Sequence, residues 1–523
     1  MVENVSLHLK SNPKNPPILA KISPSTAVSA VSAYLDLCTL ARERALLSTT
    51  SAVLGWDQET GLPPSAVPYR AAQLAYLSGQ IHHLSTSDPW RQALEAAEAE
   101  SPDSPTTAAN LREFRHHFDR ATCLPRDLVE QAAKTSSLAK AAWGEARSKS
   151  DFSLFAPHLE TLLDLARRKA DLWGYEEEPY DALLENYERG ARTSDVVRIF
   201  DSFQEDLTSL SREAVTRSAS TPPDLLHGDY PIIAQQTLNA EIAESIGFDL
   251  RAGRIDTVAH PFCTHLGPRD TRLTTRYHLT DFTSSLFGVL HEAGHGMYDQ
   301  GLPESEHGLP SGDAVSLGIH ESQSRLWENH VGRSRPFWER WYPRAVDLFP
   351  NLRNVSLHDF LRAINRATYS PIRVEADEAT YDLHILLRFD LERRMLRGEL
   401  AVRDIPAAWN EAFETLFGFL PPDDAHGCLQ DIHWSMGGLG YFSTYTLGNL
   451  NAAQLFHTAR QDPHIAAAFA KADVAPLLKW MQDNIHAAGS TLFPQDLMRQ
   501  ATGEPTNPAH HLAHLRQRFL TNP

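Results

Sequence analysis

The chain has 523 residues, 42% hydrophobic and 22% charged, which is ample for a large core without disulfide or metal staples. Asp and Glu number 66 against 48 Lys and Arg, so the net charge of −18 argues against nucleic acid or an anionic membrane as the main partner. Cys38, Cys123, Cys263 and Cys428 are scattered and form no C-x-x-C pair. That argues against a disulfide framework or a cysteine zinc site and predicts reduced thiols in a cytoplasm.

Residues 1–30 mix Ser, Pro, Asn and Lys without periodicity and read as a flexible arm. They lack the apolar segment of a secretory signal, and no run reaches the roughly 18 apolar residues of a membrane span. Residues 31–523 read as one helical domain, so the predicted fold class is mostly α. Apolar residues recur at helical spacing over Tyr34–Leu54, Arg112–Arg120, Leu128–Arg147, Phe155–Trp173, Thr193–Ser218 and, briefly, Phe360–Ile364. Gly61-Leu62-Pro63-Pro64, Thr221-Pro222-Pro223 and Leu420-Pro421-Pro422 separate helical segments. Arg272–Thr280 is rich in Thr with a central aromatic and predicts a short strand, with an edge that extended substrate can pair.

Shortly after it comes His291-Glu292-Ala293-Gly294-His295, an H-E-x-x-H sequence. Residues four apart share one helix face, so both imidazoles can reach one ion and Glu292 can reach water beside it. Phe287, Val289, Leu290 and Met297 supply apolar surface to bury such a helix. Zinc needs a third protein ligand. Tyr298 and Gly301 stand where a metzincin has Gly and His, which excludes that class. Glu321, in the next predicted helix, is the leading candidate and His320 its rival.

The chain resembles the Taq-type (thermostable) zinc metallocarboxypeptidases, which share an architecture with angiotensin-converting enzyme and neurolysin. The resemblance rests on Trp56-Asp57-Gln58-Glu59-Thr60, His260-Pro261-Phe262, Asp270-Thr271-Arg272-Leu273-Thr274, His291–His295, His320-Glu321-Ser322-Gln323, Ile372–Asp377 and Gly427–Trp434. It implies a helical fold with a deep groove, often a homodimer. It implies removal of single residues from free peptide C-termini with broad tolerance and poor cleavage of terminal proline. The implied cofactor is one Zn²⁺ per chain, with Co²⁺ able to substitute.

Metal ligation is then expected from His291, His295 and Glu321, and general-base action from Glu292. His433 and Tyr441 are the candidates to stabilise the oxyanion, with Tyr445 competing for the role of Tyr441. Arg373 is the leading candidate for the substrate's terminal carboxylate and Arg272 the alternative, with His260 lining the groove. Asp270 is expected to order the strand, and Asp377 and Asp431 to orient imidazole or Arg. Cys263 and Cys428 adjoin the motifs, so oxidation sensitivity is a further expectation. The competing readings are an oligopeptidase or dipeptidase-type enzyme on the same scaffold and a silent peptide-binding protein.

Overall fold

The computed structural model describes residues 32–521, apart from Ser101 and Asp103. The arm expected over residues 1–30 lies outside that range. The described residues are mostly helical, as the periodicity predicts, with one small sheet. The helix expected over Thr193–Ser218 has those ends, and that over Leu128–Arg147 sits inside Arg126–Lys149. Phe360–Ile364 is the second half of a helix over Leu357–Ile364.

Helices α1 (Ala33–Thr60) and α2 (Val67–Ser85) form a hairpin turned by the predicted Gly61–Pro64 breaker. Only the first half of α1 is buried, through Leu37, Cys38, Ala41 and Ala45, and α2 buries no residue at all. The far end of α1 reaches the sheet, where the guanidinium of Arg272 stacks 4.4 Å from the Trp56 ring. Among the described residues no helix is long and apolar enough to cross a membrane.

The sheet holds β1 (Gly253–Thr257), β2 (Cys263–His265) and β3 (Thr271–Thr275) in the order β1-β3-β2. Strand β3 pairs parallel with β1, Gly253 opposite Thr271, and antiparallel with β2, Cys263 opposite Leu273. The strand predicted over Arg272–Thr280 therefore ends at Thr275, and it is central, with both its edges filled. The expectation that substrate pairs with its edge is corrected by this order. Thr271, Thr274 and Thr275 are buried but satisfied, for example by the Thr274 hydroxyl on the Phe262 carbonyl.

Helix α3 (Phe282–Gly301) follows β3 and carries the H-E-x-x-H sequence. Asp281 caps it by accepting the Thr283 N–H at 2.8 Å. Leu286, Val289, Leu290, Ala293 and Met297 are buried along it. Each larger side chain contributes roughly 1.5–3 kcal/mol on burial, which fixes the helix in the body. Helix α4 (Leu317–Arg325) comes next and runs into a π-helical segment, Leu326–Val331. Later in the chain come α5 (Tyr381–Leu396), α6 (Ser443–Ala459) and α7 (Pro508–Leu515).

The interior is organised as two large apolar clusters and a smaller one. One gathers Phe200, Phe389, Trp409 and Phe413, the other Phe282, Leu290, Trp327 and Trp338. Helix α6 belongs to both, giving Leu447 and Leu450 to the first and Ala452, Leu455 and Phe456 to the second. Helix α4 meets α6 along this seam, and the H-E-x-x-H helix packs on α4.

Candidate metal centre

Three helices approach closely because two glycines leave them room. A Cβ on Gly294 would stand 2.6 Å from the Gln323 carbonyl oxygen, so α3 packs against the backbone of α4. A Cβ on Gly448 would stand 2.5 Å from Cγ of Glu321, so α6 supports that side chain from behind. The N-terminus of α4 is pinned as well. Ser316 caps it by accepting the Ile319 N–H and donates to buried Glu188, which also accepts the Gly318 N–H.

This packing brings His291, His295 and Glu321 together, with one donor atom from each inside a span of 4.8 Å. Glu321 Oε2 stands 3.8 Å from His291 Nε2 and 3.5 Å from His295 Nε2. These separations are longer than hydrogen bonds to imidazole, and they suit donors each about 2.0–2.2 Å from a shared ion. Two imidazoles and a carboxylate are also a donor set that fits zinc. The residues present therefore fit the metal that the resemblance implies. His320 does not join them. It stacks on His295, ring centroids 4.4 Å apart, and its Nε2 pairs with Asp299 at 3.1 Å.

The surrounding charges are arranged in pairs. Glu321 Oε1 accepts from Arg325 Nε at 2.6 Å. Burial alone would raise the Glu321 carboxyl, but Arg325 and the two histidines hold it well below the usual carboxylate range. His291 Nδ1 lies 2.9 Å from Glu328 Oε2, the outer partner that orients a metal-binding imidazole. Glu292 is only 7% exposed. Burial pushes it up to about 7, with Glu321 adding to the rise and His291 opposing it. A carboxylate poised there suits general-base work near neutrality.

His433, Tyr441 and Tyr445 form an aromatic group beside the centre. Ring centroids lie 5.2 Å apart for His433–Tyr441 and 5.3 Å for Tyr441–Tyr445, and the Tyr445 hydroxyl stands 3.4 Å from His433 Nε2. Burial lowers His433 to about 4, so it is neutral at pH 7. Tyr187 meets Tyr441 edge-on at 5.2 Å. Tyr187 and His320 both line a cleft of about 600 Å³, with His116, His117, Arg120 and Arg189 on other walls.

The other predicted residues are placed as follows. Arg373 is buried, with Nε and Nη2 on Asp431 and Nη1 on the Tyr381 hydroxyl at 2.8 Å, and its guanidinium lies 5.0 Å from the Tyr445 ring. Asp431 also receives Arg388 Nε at 2.7 Å. Asp377 accepts the Thr368 and Ala379 N–H groups and the Thr380 hydroxyl, and so folds its own loop, which corrects the expectation that it orients imidazole or Arg. Asp270 and Arg272 pair with each other at 2.8 Å beside Trp56, and His260 is on an exposed loop between β1 and β2. Burial pushes the Cys263 and Cys428 thiols up, with Asp299 adding at Cys263, which disfavours their thiolate forms.

Glu328 and Arg325 are the members of the site that the sequence reading missed. Arg325 follows Glu321 at i+4, a spacing visible in the sequence. Glu328 lies past the onset of the π-helical segment, where ideal helical spacing no longer tells which face a side chain occupies.

A helix-borne H-E-x-x-H pair joined by a glutamate of the following helix, inside a helical body, defines a metallopeptidase. Residues 36–519 match the carboxypeptidase Taq (M32) metallopeptidase family, and the chain belongs to it. It is 41% identical to thermostable carboxypeptidase 1 of Thermus thermophilus over 93% of this chain and 98% of that one. It is 36% identical to carboxypeptidase 1 of Bacillus subtilis over 90% and 95%. The crystal structure of an M32 carboxypeptidase from Deinococcus radiodurans superposes with a TM-score of 0.91 at 37% identity, covering 94% of this chain and 99% of that one. The chain is accordingly a metal-dependent carboxypeptidase.

Proposed function

We propose that the chain removes single residues from the free C-termini of peptides, with broad tolerance and poor action on terminal proline, using one zinc ion held by His291, His295 and Glu321. The observation that carries the reading is the convergence of these three donors at separations suited to an ion, beside buried Glu292. Bound there, zinc supplies Lewis acidity that polarises a peptide carbonyl and acidifies water. Glu292 takes the proton from the attacking water and passes it to the leaving amine. His433, neutral and next to Tyr441 and Tyr445, offers an N–H to the developing oxyanion, and the Tyr441 hydroxyl offers a second donor. Tyr445 holds His433 in place. Cobalt takes the same donors in exchange for zinc.

Arg373 is proposed to meet the terminal carboxylate. Its place beside Tyr445, in the aromatic group next to the centre, supports this over Arg272, which lies at the sheet against Trp56. Asp431 holds the Arg373 fork in one orientation. His260 is proposed to line the approach. The working form is proposed as a cytoplasmic homodimer, and light scattering of the purified chain tests the assembly.

The test is mass spectrometry of one peptide series, free and amidated at the C-terminus, incubated with zinc-loaded protein. A one-residue ladder from the free peptides alone is expected. Internal cuts in both series would replace this reading with an oligopeptidase. No cleavage after zinc or cobalt loading would leave a silent peptide-binding protein.

A further inference from the structure

A second group of residues repeats the layout of the first in another part of the molecule. His330, Glu378 and His514 each bring one donor atom inside a span of 4.8 Å. They come from three elements far apart in the chain. His330 lies in the π-helical segment, Glu378 in the loop before α5, and His514 on α7.

The likeness extends to the charges. At the first centre Glu321 turns Oε2 to the histidines and Oε1 to Arg325. At the second, Glu378 Oε1 stands 2.7 Å from His514 Nε2, a hydrogen bond closer than the separations at the first centre and one whose proton an ion would replace, while Oε2 accepts from Arg518 Nη1 at 2.7 Å. The His330 and His514 rings lie 3.9 Å apart, closer than the 5.0 Å between His291 and His295.

The side chains of Glu378 and His514 are 3% and 14% exposed, and His330 is 3% exposed with Nδ1 buried and unpartnered. An unpaired buried imidazole nitrogen costs free energy unless something binds it.

We propose that His330, Glu378 and His514 form a second metal site that binds a divalent transition ion of the zinc class, distinct from the catalytic centre. Three nitrogen and oxygen donors with a carboxylate suit such an ion, with water completing the coordination. Its place in the fold gives it a structural role. It fastens α7 to the segment that carries Glu328, two residues before His330, and Glu328 orients His291.

The untagged full chain carrying His291→Ala and His295→Ala is loaded with zinc sulfate and desalted, and its zinc is counted by plasma mass spectrometry. Wild type is expected to hold about two zinc ions per chain, the double variant about one, and the double variant with His514→Gln added nearly none. A double variant free of zinc overturns the proposal. So does zinc that survives His514→Gln. If that variant does not fold, Glu378→Gln replaces it, since the amide keeps the side-chain volume and an oxygen for Arg518. Loss of zinc then supports the site, and retention overturns it.

Discussion

Glu328 is the residue whose removal best separates orientation of a ligand from ligation itself. Its Oε2 meets His291 Nδ1 at 2.9 Å, and its side chain is only 14% exposed. Burial alone would raise its carboxyl, yet His291, Arg325 and Arg333 together hold it well below the usual range. A charge-assisted hydrogen bond of this kind contributes about 1.5–3 kcal/mol. Loss of a residue that holds a ligating histidine costs about 10–100-fold in metal affinity, or ~1.4–2.8 kcal/mol, which agrees with the value for the bond. Glu328→Ala is therefore expected to weaken zinc at the catalytic centre by about 10–100-fold. Glu328→Gln keeps an acceptor for Nδ1–H and should lose about tenfold or less. Competition against a chelator of known affinity, with thermal melting as a check on folding, measures both. A folded Glu328→Ala chain that holds zinc within about twofold of wild type would refute the reasoning.

Gly448→Ala places a methyl group against Cβ and Cγ of Glu321 and is expected to cost about 1–3 kcal/mol of stability and to weaken metal retention, read by denaturant unfolding and zinc content. Retained zinc and unchanged stability would mean that α6 does not support Glu321. Buried Glu188 is pushed up to about 7 by desolvation against an ordinary value of 4.5, with Gly318 and Ser316 opposing. The folded chain keeps a proton that the unfolded chain releases. The contribution is present below pH 4.5 and is lost as pH rises towards 7, about 3 kcal/mol in all. Glu188→Gln should flatten the fall in stability between pH 4.5 and about 7, and an unchanged slope would count against it. Arg373→Ala is expected to raise KM at least tenfold for free C-termini and much less for amidated peptides, and equal effects would end its role at the carboxylate.

The H-E-x-x-H pair was legible because residues four apart on a helix share a face, and Glu321 because it opens the next helical segment with the right chemistry. The long helices were legible for the same reason. Strand β3 was visible from its threonines, but its central place was not, because β1 is the unremarkable run Gly253-Arg254-Ile255-Asp256-Thr257. Tertiary pairing decided that position. Gly294 and Gly448 were visible only as glycines within helices, and the backbone and side chain they admit came from other elements. Asp377 misled because its hydrogen-bond donors come from its own loop, which no spacing rule reports. The His330, Glu378 and His514 cluster was out of reach, since His514 and Glu378 lie 136 positions apart.

The central claim is that Glu292 moves the proton while His291, His295 and Glu321 hold the metal. Zinc content and turnover measured on one preparation of Glu292→Gln test it most directly. The claim predicts zinc equal to wild type and hydrolysis of a free-terminus peptide lower by about 10²–10⁴-fold. A zinc-replete Glu292→Gln chain with near-normal turnover would contradict it.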